Sequence, residues 1–412
     1  MAAHVRAGLI ASALALLLVN DAPARASPRE ALCASLSAAS AVRADRQHGF
    51  VVSYRPGPNE VELPLPLRTS AFVYDNALAV IALVACGDVP SARRIGDAIL
   101  DAQSHDRTFA DGRVRNAYRA GSRPPHEKAL LPGWWDAAAN LWSEDPYQDG
   151  TSTGNVAWAS LGLLTLHQAT GDARYLEGAR ALLLWIAAHT ADPSGSGFTG
   201  GVDGYDPAQT RLSWASTEHN VDIAAAALWY GRVSGDPAFG PMVVSARSFL
   251  DKAFRPAAGC FVLGTAPDGS LADTSHLALD TQLWPLLLPD APDSWRAALS
   301  CAERHLGVAG GFDFDNDRDG VWVEGTAQAA LVYASLGMAE RAAELRASLQ
   351  SDVSASGWLY ATRGERVTTG LKIGPQSTSA DFFYFRRPHL GATAWAALAA
   401  TGWNPFTGRR VE

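Results

Sequence analysis

Five stretches of this chain are apolar on every side, and each is followed within a few residues by a stretch that is apolar along one face only. The pairs are 69–86 with 90–103, 151–170 with 173–189, 216–234 with 239–254, 277–288 with 293–305, and 324–336 with 339–349. Apolar residues at helical spacing predict a helix over each. A helix without a polar face must be covered on all sides, whereas one with a single apolar stripe lies at a surface. A sixth all-apolar stretch, 389–401, has no partner behind it. Residues 28–43 at the front supply one, an amphipathic helix with Ala31, Leu32, Leu36, Ala39 and Val42 on one face. Six buried and six amphipathic helices predict an all-α fold, an (α/α)6 barrel of six hairpins with the buried set inside. The first and last helices close the ring, so residues 27–412 form one domain.

The connections are uneven. Turns from inner to outer helices are short: Gly171-Asp172, 235–238 and Gly337-Met338. The returns are long: 104–150, 190–215, 255–276, 307–323 and 350–388. Long loops in a compact domain tend to carry function. They gather, with short strands, at the end where the inner helices begin. The same geometry sorts the cysteines. Cys33 and Cys86 fall at one end of the barrel, Cys260 and Cys301 at the other. Disulfides Cys33–Cys86 and Cys260–Cys301 are therefore allowed, and cross-pairings would have to traverse the barrel.

Residues 1–26 read as a secretory signal, with Arg6, an apolar run from Gly8 to Val19, and Ala24-Arg25-Ala26 as the cleavage site. The run is too short to span a bilayer, so the expected location is periplasmic or secreted, with no membrane partner after cleavage. An even cysteine count in an oxidising compartment favours disulfides over metal binding. Without residues 1–26, which hold Arg6, Arg25 and Asp21, the formal charge of −8 becomes −9. That balance argues against nucleic acid, which needs a basic footprint. It leaves uncharged sugars open, and 13 tryptophans supply aromatic faces that suit sugar rings as well as core packing.

The first turns of the inner helices carry acids. Asp75, Glu218, Asp280 and Glu324 stand there on four of the six. An acid in a first turn stabilises the helix dipole by a few tenths of a kcal/mol up to about 1. That explains one such residue well but four badly, because these are the buried helices and would converge on one axis. Several carboxylates around a cleft fit glycoside hydrolysis, in which one protonates the leaving oxygen and another activates water or attacks the anomeric carbon. Glu218 is the candidate general acid, with Asp75, Asp280 and Glu324 competing as its partner. Tyr74, Asn76, Asn155, His219, Asn220, Asp222 and Gln282 beside them are candidate substrate contacts. Trp134, Trp135, Trp214, Trp284, Trp322 and Tyr384, in or beside the long loops, are candidate sugar platforms.

The segments YDNALAV, STEHNVDIAA, LDTQLW and VWVEGTAQAALVY are similar to those of an exported bacterial group within the six-hairpin, (α/α)6-barrel glycosidase superfamily. The resemblance covers nearly all of residues 27–412. It implies a carbohydrate ligand in a cleft across the barrel end and leaves the chemistry open, because the superfamily includes hydrolases, lyases, phosphorylases and epimerases. A lyase would need a basic subsite, for which Arg386 and Arg387, or Arg113, Arg115 and Arg119, are available. An epimerase would use His219, His276 or His389. A non-catalytic glycan-binding barrel is the third reading. No cofactor motif is present. From Asp315 the chain reads D-x-D-x-D-G, the opening of a calcium loop with Asp315, Asp317 and Asp319 as ligands. The twelfth position is Thr326 rather than Glu, so no complete EF-hand follows, and a solvated loop positioning the Glu324 helix is the other reading.

Overall fold

A computed structural model describes residues 26–41, 48–122 and 127–411. Its helices are α1 (Pro28–Ser40), α2 (Val73–Cys86), α3 (Val89–Ser104), the single turn α4 (Pro146–Asp149), α5 (Thr153–Thr170), α6 (Ala173–Thr190), α7 (Thr217–Ser234), α8 (Gly240–Ala253), α9 (Leu279–Leu283), α10 (Ala297–Leu306), α11 (Val323–Ser335), α12 (Ala339–Ser348) and α13 (Leu390–Thr401). Around the inside, α2 packs on α5, α5 on α7, α7 on α9, α9 on α11 and α11 on α13, and α13 returns onto α2. Outside, α3, α6, α8, α10 and α12 each pack on the inner helix preceding them, and α1 packs on α13 and α2. The fold is the six-hairpin (α/α)6 barrel. The signal segment expected over 1–26 lies, apart from its last residue, outside the described residues.

Burial follows the sequence pattern. Nearly all of α2, α5, α11 and α13 is buried, while α12 buries only Ala342 and Leu345. Ser216 caps α7, accepting from the His219 N–H (3.4 Å). The short inner-to-outer turns rest on glycines such as Gly171 and Gly235, both at φ 70°, where a side chain would be strained.

Three boundaries differ from expectation. Residues 70–72 form a strand paired with Ala117–Arg119, so α2 starts at Val73. The helix expected over 277–288 is α9 followed by a 3-10 turn, Trp284–Leu287, because Pro285 has no N–H with which to continue the α ladder. Helix α1 ends at Ser40, and residues 42–47 fall outside the described set.

Both disulfides form as the geometry allowed. Cys33–Cys86 ties α1 to the end of α2, and Cys260–Cys301 ties the strand after α8 to α10 (Cα–Cα 5.6 and 5.5 Å). The axis is filled by aromatic rings. Trp158, Trp284 and Trp395 meet at centroid distances of 5.3 to 5.9 Å, and Phe406 packs under Trp158 and Trp284 at 5.2 and 5.7 Å. Among the described residues no helix is long and apolar enough to cross a membrane.

Candidate active site

The six inner helices share a register. Their fourth residues are Asn76, Val156, Asn220, Gln282, Thr326 and Thr393. Asn76 bonds both the N–H and the C=O of Val51 (2.9 and 3.0 Å) and donates one turn back to the Phe72 carbonyl (2.9 Å). Asn220 does the same to Phe198 and Ser216, and Gln282 to Phe261 and Ala278. Thr326 and Thr393 manage it with one hydroxyl. Each accepts from the incoming chain, Phe312 N or Leu359 N, and donates to the carbonyl one turn back. Asn76, Asn220 and Gln282 are fully buried. They staple loop to helix and, fully buried, offer no face to a substrate, which corrects the sequence reading.

The second residues are Tyr74, Gly154, Glu218, Asp280, Glu324 and Gly391, and these face the mouth. Glu218 keeps some exposure, whereas Asp75, Asp280 and Glu324 are buried. The Tyr74 hydroxyl donates to Glu324 Oε1 (2.7 Å) and accepts from Trp395 Nε1 (2.9 Å). His389, the N-cap of α13, lies between two carboxylates, with Nε2 3.3 Å from Asp75 Oδ1 and Nδ1 3.4 Å from Glu324 Oε2. The Tyr54 ring stacks on it at 4.4 Å. Glycine at 391 makes this convergence possible, because a methyl there would lie 2.7 Å from Asp75 Oδ1 and 2.9 Å from Glu324 Oε2. Gly154 does the same for the His219 ring, 2.5 Å from where its methyl would be.

Crowding sets the charge states. Burial, then Asp280 and Glu324, pushes the Glu218 pKa well above the carboxylate range. Burial raises Asp280 to about 6, against a hydrogen bond from the Thr281 N–H (2.6 Å). Burial raises Glu324 to about 7, with Asp75 and Asp280 adding to it and His389 and Tyr74 opposing. For His389, burial disfavours the charged ring, but Asp75 and Glu324 outweigh it and raise its pKa. His219, buried away from any carboxylate contact, is lowered to about 4. Asp222, one turn below Glu218, is fully buried with neither oxygen hydrogen-bonded. Burial, then Glu218 and Asp280, raise its pKa well above the carboxylate range, with Trp158 opposing. Among the described residues no ion pair reaches Glu218, Asp222 or Asp280. Burial and mutual repulsion thus raise Glu218, Asp280 and Glu324 together.

The aromatic candidates divide. Trp284 and Trp322 are 1% and 2% exposed and belong to the core, which corrects their placement as platforms. Tyr384 is half-buried at the mouth, its ring 6.3 Å from that of His389. Trp214 is half-buried with its ring 5.6 Å from that of His219. Asn155 is half-buried and donates to Asn116 Oδ1 (2.8 Å). Trp134 and Trp135 stand on a separate hairpin, Trp134–Asp136 with Leu141–Ser143. Tyr54 and Tyr147 went unnoticed in the sequence, since a proline-rich loop and a single helical turn carry no periodicity to mark them.

In the acidic loop, the carboxylates that come within 4.8 Å of one another are those of Asp313, Asp315 and Asp317. Asp319 instead accepts from the Thr368 N–H (3.1 Å). Asp313 accepts from Phe314 N and Gly320 N, Asp315 from Asp317 N, and Asp317 from Asp319 N. His276 Nε2 adds a contact to Asp315 at 3.2 Å. Backbone N–H groups and His276 thus meet part of the charge on these carboxylates, while burial and repulsion from Asp317 and Asp319 raise Asp313 to about 7.

No protein-family model matches the sequence, and no curated protein matches it. Solved structures do. A glycosidase is 15% identical with a TM-score of 0.58 over 90% of this chain and 96% of that one. A sugar epimerase from a ruminal bacterium is 12% identical with a TM-score of 0.63, covering 91% and 98%. A GH76 α-mannanase from Bacteroides thetaiotaomicron is 11% identical with a TM-score of 0.56, covering 92% and 96%. Identities this low establish the barrel fold alone.

Proposed function

We propose that this protein is a glycoside hydrolase acting outside the cytoplasm on a poly- or oligosaccharide. One observation carries the reading: Asp75, Glu218, Asp280 and Glu324 gather at the inner-helix N-termini, where burial and mutual repulsion raise the pKa of the last three. Glu218, its pKa raised well above the carboxylate range and the most accessible of the four, protonates the leaving oxygen. Asp280 on the next helix, with a pKa of about 6, is ionised near neutrality and serves as the base or nucleophile. Asp75, His389 and Glu324 form the opposite wall and orient the sugar. The names of the similar structures, glycosidases and a mannanase among them, support a carbohydrate substrate, and the two disulfides support an oxidising compartment.

Glu218→Gln should abolish release of sugar from a natural glycoside. It should retain activity on an aryl glycoside whose leaving group needs no proton. Near-normal turnover of the natural substrate would sink the assignment, and the anomer first released, read by NMR, tells inversion from retention.

The epimerase reading keeps one supporting observation, two histidines at the mouth shifted in opposite directions: His219 lowered to about 4 by burial, and His389 raised by Asp75 and Glu324. It predicts an isomerised reducing sugar with no bond cleaved. The lyase reading loses most of its basic subsite. Arg113 is paired with Asp111, Arg115 with Asp106 and Asp206, and Arg387 with Glu60, while Arg386 donates to the Arg363 carbonyl. A lyase would release products absorbing in the ultraviolet, and a binding barrel would release none. Incubation with neutral and acidic polysaccharides, followed by reducing-end, absorbance and product analysis, separates all four.

A further inference from the structure

The loop-rich end carries an aromatic surface that the carboxylates do not use. Trp135 and Trp142 stand directly opposite each other on the hairpin. They are 56% and 46% exposed, and Tyr205 beside them is 52% exposed. Most of the other tryptophans are buried. A cavity of about 300 Å³ opens here, lined by Leu141, Trp142, Ser143, Glu144 and Tyr205, within the range of small-molecule pockets.

Its walls are fixed in advance. The Tyr205 hydroxyl donates to the Glu144 carbonyl (3.2 Å). Arg107 donates twice to the Glu144 carboxylate (2.6 and 2.7 Å) and once to Asp206 (2.7 Å), the residue after Tyr205. One ion-pair network therefore holds both sides, and it leaves the Glu144 charge neutralised rather than free for a ligand.

A short stretch of chain links this hairpin to the mouth. Five residues after Trp142 comes Tyr147, whose ring is 6.3 Å from that of Phe72, the N-cap of α2. Its carbonyl accepts from Asn116, which in turn accepts from Asn155 at the mouth (2.7 and 2.8 Å). Five residues span at most about 18 Å, a length of a few sugar units.

We propose that Trp135, Trp142 and Tyr205 form a distal subsite for neutral pyranose rings of the same chain whose reacting bond lies at the carboxylates. The substrate is then a chain of several sugars rather than a disaccharide. Aromatic faces take the C–H faces of such rings, and the acidic mouth, on a chain of net charge −8, disfavours a polyanion. This inference rests on the hydrolase reading for the identity of the near end of the chain.

The test is native gel electrophoresis through soluble neutral polysaccharides (mixed-linkage β-glucan, arabinoxylan, galactomannan) and through polygalacturonate. At least one neutral polymer should retard the wild-type protein. Trp135→Ala combined with Trp142→Ala should remove half or more of that retardation at unchanged Tm, and should cut the kcat/KM advantage of a hexasaccharide over a disaccharide at least fivefold. Equal retardation of both proteins, retardation by polygalacturonate alone, no retardation by any neutral polymer, or an unchanged chain-length advantage each overturns the subsite. Retardation needs no turnover. Loss of retardation in the variant, in a protein that releases no sugar, supports the subsite and refutes the hydrolase reading alone. Release of sugar from an aryl glycoside without retardation refutes the subsite alone.

Discussion

Replacing Glu324 by glutamine tests the electrostatics of the mouth without reference to any substrate. Glu324 is 1% exposed, and its pKa rises from 4.5 to about 7, chiefly by burial. A folded-state pKa above the unfolded one means that the native protein keeps a proton that the unfolded chain has already released. The stabilisation is complete below about pH 4.5 and is lost as pH rises through about 7. At 1.36 kcal/mol per unit the loss is on the order of 3 kcal/mol. Glu218 and Asp222 shift in the same direction, so the wild-type protein should be more stable at pH 5 than at pH 8, the reverse of a protein whose acids are mostly salt-bridged.

Glutamine keeps an acceptor for the Tyr74 hydroxyl but has no proton to release. Removing the charge also eases the neighbouring acids toward ordinary values, which flattens the pH dependence further. Urea unfolding at intervals from pH 4.5 to 8, with the disulfides intact, should show wild-type stability falling with pH and the variant falling less. The two should differ across the window by on the order of 3 kcal/mol. Parallel curves would refute the raised pKa of Glu324.

Three further outcomes are expected. Gly391→Ala places a methyl 2.7 Å from Asp75 Oδ1 and should lower kcat/KM by about a hundredfold through displaced carboxylates; a variant of near-normal activity would contradict the packing. Gln282→Ala leaves the Phe261 N–H and carbonyl unmatched and should cost about 2–4 kcal/mol in urea unfolding, with kcat/KM of the folded protein within about twofold. Unchanged stability with lost substrate binding would return Gln282 to the substrate. Replacing Cys260 and Cys301 by serine opens a loop with a sequence separation of 41 and should cost about 4 kcal/mol by chain entropy; a loss under about 1 kcal/mol would show that the unfolded state is not its main target.

The barrel could be read from the sequence because its signal is repeated. Each inner helix is apolar all round, each outer helix has a stripe, and six repetitions leave few other closed arrangements. Glu218, Asp280 and Glu324 could be placed in one mouth for the same reason, since they share the second position of their helices, and Asp75 stands one residue further along its own. What could not be read was direction within the first turn. Asn220 and Glu218 are two residues apart, yet one is stapled to Phe198 and the other faces the mouth. The partner that decides this comes from a loop of no regular pattern. Trp284 and Trp322 were misplaced because a tryptophan beside a long loop has the same local sequence whether its ring turns outward or into the core. Pro285 was visible, but its effect on α9 depended on where the helix began.

The stapling register separates the demands of the fold from those of the chemistry. Position four must hold a residue that can both accept from and donate to the incoming chain, and Asn, Gln or Thr stands there on five helices. Helix α5 is the exception, with Val156, and its work is done elsewhere. Thr153 donates to the Thr199 carbonyl (2.6 Å), and Asn116 Oδ1 accepts from the Ser152 N–H (2.6 Å). Position two has no such duty, which is why Tyr, Gly, Glu and Asp all occur there. Glu218→Gln and Asp280→Asn should therefore fold, with thermal transitions at pH 5 no lower than wild type, while changing what the mouth can do, whereas Asn220→Ala should lose stability before it loses chemistry. If Glu218→Gln melts more than a few degrees below wild type, the two positions are not independent, and the mouth contributes to folding as well as to reaction.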